Sequence, residues 1–210
     1  FTFFSRESGL VINNLLLSVS ALIVFIGTLW PLVVETLLDQ KMSVGAPFFN
    51  TAFTPFMVLL ALVLPVGALL PWRRSKVSNL RPSFLMIGLL SVISGSSVWS
   101  FQTGERLLAP IGISLAVWVV VGSLYDIFKR LKMRENSLFQ NLIRLSNIPR
   151  SHYGKNIAHI GFGLMIFGIS VVSAWEVEDI RVVNLNEPYR VNNYKIELLE
   201  VSEFPFLNYI

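Results

Sequence analysis

The chain contains no cysteine, only two histidines, and few charged side chains for its 210 residues. Without cysteine it has no disulfides and no thiolate chemistry of its own, although this does not fix the compartment. Charged residues make up 14% and hydrophobic residues 53%, with a mean hydropathy of +0.62. That balance fits a polytopic membrane protein and fits a soluble domain poorly. There are 17 basic and 13 acidic side chains, for a formal charge of +4. The basic residues fall in loops between apolar runs, which argues against a nucleic-acid partner. No Walker loop, zinc motif, catalytic triad or dinucleotide fingerprint occurs. There is no initiator methionine, and the chain ends at Phe206-Leu207-Asn208-Tyr209-Ile210 without a closing element. It therefore reads as a fragment of a longer protein, and Phe1 to Phe4 do not read as a signal peptide.

Long apolar runs are what the sequence does have. Five are long enough for a bilayer, which takes about 20 helical residues: 11–34, 53–72, 84–101, 107–127 and 157–175. Pro31, Pro65 and Pro110 fall in or near them, as membrane helices tolerate where neighbours satisfy the freed carbonyls. The third run carries Ser91, Ser94, Ser96, Ser97 and Ser100 beside Gly88 and Gly95, a composition that points to close helix packing. Intramembrane charges read as nearly absent. Asn13, Asn14 and Glu35, at the ends of the first run, read as interfacial.

Charge placement gives an orientation. Twelve lysines and arginines lie before the first run or in the loops after the second and fourth, whereas the opposite short loops hold only Lys41 and Arg106. The positive-inside rule then puts the N-terminal end in the cytoplasm and everything after Trp175 outside. From Glu176 the composition changes to seven acidic and three basic residues, in short β-like segments. Ile180–Leu185 reads as a strand, Asn186-Glu187-Pro188 as a turn, and Tyr189–Val191 with Tyr194–Leu198 as a hairpin about Asn192-Asn193. The expected architecture is an all-α polytopic membrane region over 1–175, with about five transmembrane helices. The start of an external β-rich domain follows over 176–210.

Both histidines lie in Ser151-His152-Tyr153-Gly154-Lys155-Asn156-Ile157-Ala158-His159-Ile160-Gly161. A titratable imidazole inside a membrane helix is costly without a partner and marks a functional site by default. With no cysteine, His152 and His159 are the leading protein ligands for any transition metal or haem iron. Seven residues apart, they sit on one helical face about 10 Å apart along the axis. Two axial ligands must approach one iron from opposite sides, so this pair cannot clamp a single haem. His159 is the deeper of the two, and Ala158, Gly161 and Gly163 leave room for a flat macrocycle. A helix-to-helix hydrogen bond is its other reading. His152, among Arg150, Ser151 and Lys155, is the weaker candidate. The apolar, aromatic loop 41–50 reads either as a re-entrant turn packed at the membrane surface or as a docking surface for a hydrophobic ligand or partner.

Several of these segments recur in a known family: Ser5-Arg6-Glu7-Ser8, Asn13-Asn14, Gly27-Thr28-Leu29-Trp30-Pro31, Ser43-Val44-Gly45-Ala46-Pro47-Phe48-Phe49-Asn50, Tyr153-Gly154 and Ala158-His159-Ile160-Gly161. In this order and spacing the chain resembles CcmF, the haem lyase subunit of the cytochrome c maturation system, over essentially all its length. The resemblance implies a multi-pass protein of the bacterial inner membrane, or its mitochondrial counterpart. It implies work with a CcmE-type haem chaperone and with CcmH/CcmI-type proteins that present apocytochrome c. Haem vinyl groups are joined there to the thiols of a Cys-x-x-Cys-His motif. The resemblance also implies a membrane haem b with His159 as one axial ligand, and it offers no comparable support for His152. The family's tryptophan-rich external segment, its flanking external histidines and the other haem b ligand find no counterpart in these 210 residues. On that reading the fragment alone cannot attach haem, and whether the whole is an enzyme or an assembly factor stays open. A transporter for haem or another small molecule and a cofactor-free membrane scaffold are the competing readings.

Overall fold

The computed structural model describes residues 5–70, 81–103, 107–131, 143 and 147–202. Six α-helices and one two-stranded antiparallel sheet lie among the described residues: α1 Arg6–Leu38, α2 Ala46–Ala52, α3 Thr54–Leu69, α4 Arg81–Phe101, α5 Leu108–Leu131, α6 Arg150–Trp175, β1 Tyr189–Val191 and β2 Tyr194–Ile196. Four of the helices are each long and apolar enough to cross a bilayer; α2 and α3, bent by 42° at a short break, make a fifth span if taken together. The chain is a multi-pass membrane protein. Arg73, Arg74, Lys76, Arg106, Lys132, Arg134 and Arg144, which carry much of the charge count behind the expected orientation, lie outside the described residues.

Local chemistry explains the helix ends. Ser5 caps α1, its hydroxyl accepting from the Ser8 amide at 3.3 Å, and Glu7 sits in the first turn where the helix dipole favours an anion. At 33 residues α1 runs about 50 Å, longer than the hydrocarbon layer, so it tilts or emerges from it. It ends at Asp39, whose φ of 51° is the left-handed stop that Asp tolerates. Between α2 and α3, Pro55 has no amide to donate and its ring crowds the carbonyl one turn earlier, so the helix bends there.

Packing centres on α5, which contacts α3, α4 and α6, while α1 contacts α2 and α3. Of the most apolar stretch of α5, 44% is buried in the bundle, against 11% for α1, which leaves most of α1 for lipid. Ala61, Leu115 and Val119 form the centre, with Val58, Leu64, Trp118, Phe162 and Ile166 around them. The Trp118 indole donates to the Leu62 carbonyl at 3.1 Å, tying α5 to α3. In a bilayer such contacts rest on van der Waals fit and interhelical hydrogen bonds rather than on expulsion of water.

Ser91 and Gly95 of α4 are buried, and a Cβ on Gly95 would come within 2.7 Å of the Pro110 carbonyl of α5. Ser91, Ser94, Ser97 and Ser100 all donate to carbonyls of their own helix at 2.8–3.3 Å. Close packing therefore holds along one narrow line, and these four hydroxyls are satisfied within the helix.

α2 begins inside loop 41–50, with Gly45 as its N-cap and Pro47 in its first turn. Phe48 and Phe49 meet edge to face, 5.3 Å between ring centres, and lie over Gly27 of α1. Segments 27–31 and 43–50 thus form one contact. In the tail, β1 and β2 pair Tyr189 with Ile196 and Val191 with Tyr194 around Asn192, whose φ is 54°. Ile180–Leu185 is not a strand: only Leu185 makes a bridge, to Leu198, and Ile180 and Val182 are 88% and 94% exposed. An alternating pattern becomes a strand only where a neighbour accepts its backbone bonds.

Candidate functional site

The first turns of α6 carry both histidines, and each meets different neighbours. His152 faces α5, its Nδ1 lying 3.7 Å from Asp126 Oδ2. Asp126, only 6% exposed, is the centre of a polar cluster that the sequence reading passed over. Lys155 Nζ donates to its Oδ2 at 2.7 Å and Asn156 Nδ2 donates to the same oxygen at 3.3 Å. Asn156, 1% exposed, also donates to the His152 carbonyl at 3.1 Å. The apolar run around Asp126 hid it: one carboxylate near the end of a span reads as interfacial until the helix that answers it is known. The usable signal was an acid late in one run and Lys155-Asn156 early in the next run, which enters from the same end.

His159 lies one turn deeper than Lys155, in contact with a cavity of about 130 Å³ between α1, α3 and α6. Arg6, Gly9 and Asn13 of α1 and Leu64 and Gly67 of α3 are among its walls. α1 and α3 approach closely at its edge, where a Cβ on Gly9 would stand 3.2 Å from the Gly67 Cα. Asn13, read from sequence as interfacial, belongs to this wall. His159 is half-buried, and its Nδ1 is buried without a hydrogen-bond partner among the described residues. Among the described residues Nδ1 thus makes no helix-to-helix hydrogen bond.

Two glycines expected to make room beside His159 behave differently. Gly161 has nothing within 4 Å of a Cβ added to it. Gly163 faces α5, where such a Cβ would be 2.6 Å from Val120 Cγ2, so it serves helix packing. Among the described residues no group of three His, Asp or Glu side chains is placed to hold a metal ion. A single histidine with an unpaired buried nitrogen fits one axial position of a macrocycle that brings its own four nitrogens; it does not fit a free metal ion. The cavity is near the size of an engineered one that takes a benzene molecule, about 150 Å³, and so accepts the edge of a larger ligand.

Comparison with curated proteins finds full-length similarity. The chain is 41% identical over 209 residues to the cytochrome c-type biogenesis protein Ccl1 of Rhodobacter capsulatus, an alignment that covers all of this chain and 31% of that protein. It is 38% identical over 194 residues to CycK of Bradyrhizobium diazoefficiens, covering 92% of the chain and 29% of that protein. It is 33% identical over 202 residues to CcmF of Escherichia coli, covering 95% and 29%. The chain thus spans under a third of the length of these relatives. No protein-family model matches it, and no solved structure matches it.

Proposed function

The chain belongs to the CcmF, Ccl1 and CycK family of cytochrome c-type biogenesis proteins, and from that premise we propose that this stretch is a haem-holding part of a membrane assembly protein. In this reading His159 would hold the iron of a haem b, with a further ligand expected from outside these residues. The observation that carries it is the buried Nδ1 of His159, left without a hydrogen-bond partner on the wall of a cavity inside a membrane bundle. Buried polar atoms without partners are few in folded proteins, and an intramembrane histidine needs one.

A haem b held there would supply one-electron redox chemistry. The protein's part is to hold and orient. The α5–α6 contact fixes the rotation of α6, through Asp126, Asn156 and Gly163, and so aims His159 at α1 and α3. In the complete protein, haem arrives from a CcmE-type chaperone and is joined to an apocytochrome c Cys-x-x-Cys-His motif presented by CcmH/CcmI-type proteins. The membrane is the bacterial inner membrane or its mitochondrial counterpart, with Arg6 at the cytoplasmic end and residues 176–202 outside.

The test is a reduced-minus-oxidised optical spectrum of the purified full-length protein, wild type against His159→Ala. Loss of most of the b-type absorbance in a variant that still elutes as a single folded species is the expected result. Unchanged haem content would sink the assignment. His152→Ala, by contrast, is expected to keep the spectrum, since His152 faces Asp126 and no part of the cavity wall.

A further inference from the structure

The cavity beside His159 has a polarity that iron ligation does not use. Among the described residues Arg6 and Lys155 line it, and no carboxylate does. Asp126, which bonds Lys155, belongs to α5 and is not part of the wall. The rest of the lining is apolar or small, including Leu10, Val63, Leu64 and Ala68, apart from Asn13 and His159.

These groups are ordered along the bundle. Arg6 begins α1, and Lys155 is in the second turn of α6. His159, four residues beyond Lys155 on the same face, is about 6 Å deeper. One end of the cavity is therefore cationic and near the helix ends, and the deeper part is apolar with a nitrogen donor. That order suits an amphipathic ligand with anionic oxygens at one edge and a flat apolar body. At about 130 Å³ the cavity takes an edge or side arm of such a ligand, not its whole ring.

We infer that Arg6 and Lys155 hold a propionate carboxylate of the haem that His159 ligates, so that they set how the macrocycle is turned about the histidine. This rests on the haem reading above. Both cations can donate charge-assisted hydrogen bonds, and the Arg6 fork matches the two oxygens of a carboxylate. The other source of the same chemistry is the headgroup of an anionic phospholipid.

The experiment uses full-length apoprotein in an uncharged detergent, titrated with protohaem and with its dimethyl ester, which lacks the carboxylate charges. Wild type is expected to bind protohaem about tenfold tighter than the ester, the effect of one charge-assisted contact. Arg6→Gln should shrink that preference to about twofold while the b-type spectrum persists, and Arg6→Lys should keep most of it. Because Lys155→Met alone strands the Asp126 carboxylate, the second variant is the pair Lys155→Met with Asp126→Asn, which should also shrink the preference. Equal affinity of wild type for both haems, with b-type spectra in each, overturns the inference and leaves His159 as a ligand. So does an undiminished preference in Arg6→Gln accompanied by loss of bound phospholipid, counted as phosphorus per protein, which would assign the cations to a lipid headgroup. Absence of any b-type spectrum in wild type overturns both this inference and the haem reading beneath it.

Discussion

Lys155→Met is expected to destabilise the helical bundle by about 3–5 kcal/mol, the loss typical of removing one partner from a buried ion pair. The carboxylate left behind sits in a residue only 6% exposed. It keeps the Asn156 amide at 3.3 Å and the His152 ring at 3.7 Å, neither of which replaces the amine at 2.7 Å. Asp126→Leu is expected to cost less, because the Lys155 stem is long enough to carry its amine toward the membrane interface. The double variant Lys155→Met with Asp126→Leu should recover most of the loss, since matched apolar residues often replace a buried pair without penalty. Thermal unfolding in detergent of wild type, both single variants and the double gives the coupling directly. Losses that simply add in the double would show that the pair does not join α5 to α6.

That pair also marks where sequence reading stopped. The spans were legible because each is a long apolar run and the bilayer fixes the length a helix needs. The broken second span was legible only in part: Pro55 is visible, but whether a proline bends or ends a helix depends on what the neighbours do with the freed carbonyl. His159 drew attention as an imidazole in an apolar run, yet its surroundings could not be read. The cavity is walled by residues of α1 and α3, and nothing near His159 in the chain announces α1 as its neighbour. Gly163, which looked like space for a cofactor, is filled by Val120. Asp126 was invisible for the opposite reason: its partners lie about thirty residues away, and a carboxylate alone near a span end has an ordinary explanation. The hairpin about Asn192 was legible because turn chemistry is local. The strand expected at Ile180–Leu185 needed a partner that hydrophobic alternation cannot supply.

Gly27→Leu is expected to be the most damaging single change in the α1–α2 contact. A Cβ there would lie 2.6 Å from Phe48 Cε1 and 2.9 Å from Phe49 Cε1, before the remaining three carbons of leucine are added. Those atoms belong to two rings packed edge to face at 5.3 Å between centres, so making room means turning at least one ring out of that contact. Removing a glycine from a helix interior returns about 1 kcal/mol of propensity. Overpacking a close contact costs about 1–3 kcal/mol and more when several atoms are inserted, so the steric term wins. The expected net loss is about 1–2 kcal/mol, with α2 lifting away from α1. Faster proteolytic cutting in the segment 39–45 is the accompanying sign, because that segment joins α1 to α2 without secondary structure of its own. Adding Phe48→Ala to Gly27→Leu should restore part of the stability by reopening the hole that the glycine had provided. If the double variant unfolds earlier than Gly27→Leu alone, the glycine and the two rings do not form the complementary pair described, and α2 is held by some other contact.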